Sequence, residues 1–149
     1  FLGGLPLMGS HEEATLVHAS PRSPEEWDYL ISEEDGLGVF GDFATRLCFV
    51  GHSHVPGFWS VGSGGPDHVG ALNTPVAQVR LDDGRRYLIN VGSVGQPRDR
   101  DPRASYALWD REARTVTIRR VPYDHVAAAG KILAAGLPRK LAERLAHGA

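Results

Sequence analysis

The chain has 149 residues, with 16 Lys and Arg against 18 Asp and Glu, and 42% of its residues are apolar. This is the composition of a globular domain, long enough for one core to cover about two-thirds of the unfolded chain's surface. The near balance of charge excludes a generally basic nucleic-acid binder, and no apolar run approaches the ~20 residues of a membrane span. The single cysteine, Cys48, excludes an internal disulfide and suits a reducing compartment, so a cytoplasmic location is expected.

The first residue is Phe1, and residues 1–7 lack the basic start and long apolar middle of a signal peptide. They read as the interior of a longer protein. Residues 1–10 are expected to be a helix end running into a loop, broken by Gly3, Gly4 and Pro6. Ala14-Thr15-Leu16-Val17 is a short β-prone run. Ser23-Pro24-Glu25-Glu26 has the signs of a helix start, with Trp27, Leu30 and Ile31 following at helical spacing. Residues 32–46 are acidic and contain glycine, with a short helix expected near Phe43. Arg46-Leu47-Cys48-Phe49-Val50-Gly51 is apolar on both faces and predicts a buried strand.

Residues 57–75 hold five glycines and two prolines and are expected to form a flexible loop, with at most a short strand at residues 57–61. Two apolar runs, Val76–Leu81 and Arg86–Val91, flank Asp82-Asp83-Gly84 and predict a hairpin. A polar loop, 92–103, leads to a second hairpin built from Ser105–Asp110 and Thr115–Val121. Asp124 is placed as the N-cap of a helix that Gly136-Leu137-Pro138 interrupts before a last helical piece, Arg139 to Ala146. The order of elements points to an α/β domain with a substantial antiparallel part.

Two strands run into histidine: Leu16-Val17-His18, and Phe49-Val50-Gly51-His52-Ser53-His54. In sheets flanked by helices, ligands bind at the carboxyl ends of strands. Neutral imidazole is a common ligand of divalent metals, and residues i and i+2 across a tight turn can aim two rings into one small volume. His18 joins them only if its strand lies beside the Cys48 strand.

Gly51-His52-Ser53-His54 resembles the last motif of the calcineurin-like metallophosphoesterases, and Val17-His18-Ala19-Ser20-Pro21 resembles the histidine motif before it, with Ala19 where Gly is usual. Asn90-Val91-Gly92-Ser93-Val94-Gly95-Gln96-Pro97-Arg98 is similar to a loop of the small bacterial and archaeal phosphodiesterase branch, with Val91 in place of Pro. The match continues through Asp101–Ala107 and Val121-Pro122-Tyr123-Asp124. The resemblance implies a four-layer α/β/β/α sandwich and two divalent ions, drawn from Mn, Fe, Zn, Ni or Co. His18 and His52 would bind one ion and His54 the other. It further implies hydrolysis of a phosphodiester or phosphomonoester, in a small molecule or a nucleotide, by a metal-activated hydroxide.

The aspartate-rich motifs and the general-acid histidine of that family's N-terminal half do not occur before His18. Asp28, Asp35 and Asp42 follow it, and Thr45 stands where an acid should. Residues 1–149 thus look like a single incomplete domain, the C-terminal half of such an enzyme, expected to have little or no activity alone. Association with a missing half, or with a second copy, is expected. Two other readings remain: a non-catalytic scaffold of the same fold, and a protein binding one metal through its three histidines.

Arg98, Arg100 and Arg103 are candidates for phosphate contact, or else for ion pairs with Asp99 and Asp101. Asn90 and Ser93 are candidates for orienting the histidine loop, or else for capping a turn. Cys48 reads as a buried structural thiol, and Trp27, Trp59 and Trp109 as packing residues.

Overall fold

A computed structural model describes residues 2–62, 64–69 and 76–149. Among the described residues nine strands form two sheets. The first sheet contains β1 (Met8–His11), β2 (Ala14–Val17), β3 (Leu47–Val50), β4 (Gly57–Gly62), β5 (Asp67–Val69) and β7 (Arg85–Asn90), in the order β1-β2-β3-β7-β4-β5. The second contains β6 (Val76–Arg80), β8 (Ala104–Asp110) and β9 (Thr115–Val121), in the order β6-β9-β8. The helices are α1 (Glu33–Gly38), α2 (His125–Ala134) and α3 (Arg139–Glu143). Among the described residues no helix is long and apolar enough to cross a membrane.

The period of two along the central strands explains how the first sheet is buried on both faces. Leu47, Phe49, Tyr87 and Ile89 point one way and share a core with Ala77, Val79, Val116 and Ile118 of the second sheet. Cys48, Val50, Leu88 and Trp59 point the other way, onto Leu30, Val39, Phe40 and Phe43 of the segment that carries α1. Each fully buried aliphatic side chain contributes roughly 1.5–3 kcal/mol. Arg86 binds the α1 segment to the sheet. Its guanidinium lies 4.5 Å from the centre of the Phe43 ring and donates to the carbonyls of Phe40 (2.9 Å), Thr45 (3.2 Å) and Phe43.

Several elements differ from expectation. The runs 76–81 and 86–91 do not pair with each other. β6 pairs with β9 in the second sheet, whereas β7 lies between β3 and β4 in the first. Asp82-Asp83-Gly84 therefore crosses from one sheet to the other. The crossing is held by the Asp82 amide donating to the Tyr87 hydroxyl (2.8 Å) and by Arg46 donating to the carbonyls of Leu81 and Asp82 (3.1 and 3.0 Å). The second hairpin, β8 with β9, forms as predicted.

Residues 57–69 supply two strands rather than a flexible loop. A Cβ on Gly62 would lie 2.6 Å from the Gly84 carbonyl, so this glycine permits close approach of two chain segments. Residues 63 and 70–75 of the expected loop lie outside the described residues.

At the start of the chain, a 3-10 turn over Leu2–Gly4 precedes β1, which pairs antiparallel with β2. The helix expected from Ser23 is one 3-10 turn, Pro24–Glu26. Ser23 and Trp27 on either side are left-handed (φ 43° and 58°), and the Ser23 side chain makes no cap bond. The helix starts later, at Ser32, whose hydroxyl and the Asp35 carboxylate form a reciprocal capping box. The helix after Asp124 is as expected, with the Asp124 carboxylate accepting from the Ala127 amide (2.8 Å).

Cys48 is fully buried in β3, and burial pushes its thiol up to about 12, with the Arg86 charge opposing. The folded chain is expected to resist an excess of a thiol-specific disulfide reagent at pH 8 and to react promptly in denaturing urea. Fast modification of the native protein would contradict this placement.

Candidate functional site

β2, β3 and β7 are adjacent and parallel, so their carboxyl ends open on the same side. His18 follows β2 and His52 follows β3. The strands stay in register past their ends, with the Gly51 amide donating to the His18 carbonyl (2.9 Å) and the Val91 amide to the Val50 carbonyl (3.0 Å). The His18 and His52 rings lie edge to face, 5.2 Å between centres. His18, His52 and His54 border one cleft of about 720 Å³.

The turn that carries the histidines is strained. His52 and His54 both have positive φ, 59° and 63°, a region non-glycine residues rarely enter. Asn90, the last residue of β7 and fully buried, holds it. Its amide donates to the Gly51 carbonyl (2.7 Å) and the Ser53 hydroxyl (2.9 Å), and its oxygen accepts from the Gly92 amide (3.0 Å). Asn90 thus orients the histidine turn and caps its own turn at once. Gly92 has φ 78°, and a Cβ there would collide with the Ser105 side chain.

Ser93 accepts from the amides of Gly95 (3.3 Å) and Gln96 (3.0 Å), a capping role. The loop it shapes delivers the Gln96 carbonyl to His54 Nδ1 at 2.6 Å. A carbonyl only accepts, so Nδ1 carries the proton and Nε2 of the neutral ring keeps a free lone pair. Sequence reasoning missed Gln96. The Gln96 side chain is in turn held by Arg98 (3.0 Å) and by Arg144 from the C-terminal region (3.3 Å).

The arginines divide. The Arg98 amide donates to the His54 carbonyl (3.3 Å), and its buried Nε has no hydrogen-bond partner. Arg103 is engaged by the Asp101 carboxylate through Nε (2.9 Å) and Nη2 (2.5 Å). Asp99 reaches Arg120 of β9 instead, in an ion pair with both side chains fully buried. Trp59 is buried in the core under the α1 segment and Trp109 packs against the core between the two sheets, but Trp27 is 46% exposed and faces His18 and His52 at 5.3 and 5.8 Å. Tyr29, not singled out from sequence, stacks on His52 at 4.1 Å.

Burial holds His52 below its ordinary value, and the neighbouring His18 adds to this, with the Trp27 main-chain carbonyl opposing as an acceptor. Burial likewise lowers His54, with the Gln96 carbonyl opposing and the Arg98 charge assisting. Both rings are thereby kept neutral, the state that donates a lone pair. Asp35 is bound in its capping box and Asp42 pairs with Arg22 (3.0 Å). Among the described residues no group of three or more His, Cys, Asp or Glu could hold a metal ion.

No family model matches the chain. It is 39% identical over 153 aligned positions to the uncharacterized protein MJ0912 of Methanocaldococcus jannaschii, covering 99% of this chain and 58% of that protein. It is also 39% identical to a metallophosphoesterase of known crystal structure from Sphaerobacter thermophilus, with a TM-score of 0.84, covering 99% of this chain and 60% of the other. Over that part, this chain shares the metallophosphoesterase's mixed α/β fold. The hypothetical protein PH1004 from Pyrococcus horikoshii OT3 has the same fold at 21% identity (TM-score 0.69), covering 99% of this chain and 53% of that one. The chain therefore spans about three-fifths of the length of the first two relatives.

Asn90→Ala removes three hydrogen bonds at a buried position and is expected to cost about 2–4 kcal/mol, read as a lower urea midpoint. A loss below about 0.5 kcal/mol would show that the turn does not depend on it. Acid stability follows from the two histidines. Their folded values lie below the ordinary 6.5, so the unfolded chain takes up protons first. In EDTA, stability is expected to hold above pH 6.5 and to fall from there down to the folded values. Asp35 and Asp101, lowered from 3.8, add a separate loss below pH 3.8. Urea midpoints from pH 8 to 5 should show the histidine slope in the native chain and a flatter line in His52→Asn with His54→Asn, asparagine being tolerant of positive φ.

Proposed function

We propose that this chain is the histidine-bearing part of a metal-dependent phosphoesterase. The observation that carries the reading is the convergence of His18, His52 and His54 on one cleft at the ends of parallel strands, in a chain 39% identical to a metallophosphoesterase. The residues fit as donors: His52 and His54 are held neutral, and His54 Nε2 is left free by the bond at Nδ1. Alone they do not make a closed metal site, since no group of three ligand side chains assembles among the described residues. That favours the two-metal reading over the mononuclear three-histidine one, and on this proposal the remaining ligands come from the part of the longer protein that matches the two-fifths of the relatives this chain does not span.

When bound, a pair of divalent ions, with Mn, Fe, Zn, Ni and Co as candidates, would acidify water and neutralise phosphoryl charge. His18 and His52 would hold one ion and His54 the other. Asn90 keeps the turn closed, the Gln96 carbonyl fixes the His54 tautomer, and Arg98 supplies positive charge beside the histidines for an incoming phosphate ester. Arg103, paired with Asp101, serves the loop. Substrates are phosphodiesters or phosphomonoesters, small or nucleotide. The four-layer arrangement is supported on one side, where the α1 segment and the second sheet cover opposite faces of the first. Leu5, Leu7, Leu16 and Val94, each about half exposed or more, offer an apolar surface for the rest of the fold.

The test joins this chain to the segment of the Sphaerobacter thermophilus relative that it does not cover. With Mn²⁺ the chimera is expected to hydrolyse bis(4-nitrophenyl) phosphate, and His52→Ala to lower the rate at least about 100-fold. The 149-residue chain alone should be inactive. Hydrolysis indifferent to His18, His52 and His54 overturns the proposal, and so does Mn²⁺-dependent activity of the chain alone. A folded chimera that takes up metal without hydrolysing any phosphate ester would favour the scaffold reading.

A further inference from the structure

We infer that Trp27 and Tyr29 form an aromatic clamp that positions the His52 ring to receive a divalent cation; this rests on the metal-site reading above. The clamp is built by a deviation from regular structure. Ser23-Pro24-Glu25-Glu26 has the makings of a helix, yet the chain completes only one 3-10 turn and enters the left-handed region at Ser23 and again at Trp27. Such conformations persist where surrounding contacts impose them. Burial of the side chains is not the compensation, because Trp27 and Tyr29 remain 46% and 47% exposed.

The bend instead delivers three contacts to one imidazole. The Tyr29 ring stacks on His52 with 4.1 Å between centres and 26° between planes. The Trp27 ring stands against both His52 (5.8 Å) and His18 (5.3 Å). The Trp27 main-chain carbonyl faces the same ring.

Together these hold the ring plane and turn the ring toward a carbonyl acceptor. His54 receives the same service from the Gln96 carbonyl alone. An imidazole held in its binding orientation loses less freedom when it takes an ion. Groups that orient a ligand in this way typically account for about 10–100-fold in metal affinity. Trp27 and Tyr29 are thus positioning residues, acting on the cation through His52.

The experiment uses the 149-residue chain with ¹⁵N-labelled histidine, and compares it with Tyr29→Ala and Tyr29→Phe. In metal-free buffer at pH 8, long-range ¹H–¹⁵N spectra should show His52 in a single neutral tautomer with contacts to the Tyr29 ring. Tyr29→Phe should keep the tautomer, since the ring face and not the hydroxyl makes the stack, and Tyr29→Ala should give averaged ring shifts. Calorimetric titration of the chimera with Co²⁺ should show Tyr29→Ala weakened about 10–100-fold and Tyr29→Phe little changed. Unchanged methyl signals of Leu88 and Ile118 would confirm that the core of each variant is intact.

A single His52 tautomer in Tyr29→Ala, or Tyr29→Phe as weak as Tyr29→Ala, overturns the clamp. If the unaltered chimera takes no Co²⁺, the cation's share of the inference falls together with the metal-site reading. The tautomer comparison then decides separately whether the rings hold His52.

Discussion

The parallel alignment of β2, β3 and β7 is the constraint from which the rest of the site follows. Because the three strands run the same way and keep their register past Val17, Val50 and Asn90, the residues after them share one rim. A parallel sheet is stable only with both faces covered. The second sheet covers one face and the α1 segment the other, so the rim is supported by packing that has no contact with ligand. Asn90 transmits that rigidity. It sits at the buried end of β7 and spends its side chain on the neighbouring turn, which lets two histidines hold a backbone conformation they would not adopt freely.

The electrostatic character of the site follows from the same geometry. His52 and His54 lie partly out of water and close to positive or protonatable neighbours, His18 and Arg98, and among the described residues no carboxylate acts to stabilise a charged ring. Three aspartates are committed elsewhere, Asp35 to its capping box, Asp42 to Arg22, and Asp101 to Arg103. A cleft of neutral imidazoles beside an arginine is poor at holding a proton and well suited to a cation that brings its own charge and then an anionic ester.

Much of this was legible in the sequence. The apolar run 46–51 followed by Gly51-His52-Ser53-His54 announced a buried strand ending in a site, and Asp124 announced its helix. The resemblance of residues 90–98 to a phosphodiesterase loop led to Asn90, Ser93 and Arg98. Other elements were misread where a local pattern fits two outcomes. The runs flanking Asp82-Asp83-Gly84 look like a hairpin, but Val76–Leu81 alternates, as a strand with one buried face does, while Tyr87-Leu88-Ile89 is continuously apolar, as a strand with two does. That contrast was the available sign that they belong to different sheets. Ser32-x-x-Asp35 was likewise a capping box in plain view, passed over for the stronger-looking Ser23-Pro24.

By itself the sequence determined the chemistry on offer, namely three imidazoles at strand ends, a glycine-rich loop and arginines, together with the α/β class and the phosphoesterase resemblance. Only the tertiary structure decided that β2 lies beside β3, which brings His18 within 5.2 Å of His52. It also decided that the Gln96 carbonyl meets His54, and that Trp27 faces the site and not the core. The reason is physical: periodicity and capping record how a residue relates to its near neighbours, whereas these contacts join segments 34 to 42 residues apart in the case of His18–His52 and His54–Gln96. Such pairings are settled by which strands share an edge and which faces are covered, choices made by the packing of the whole chain.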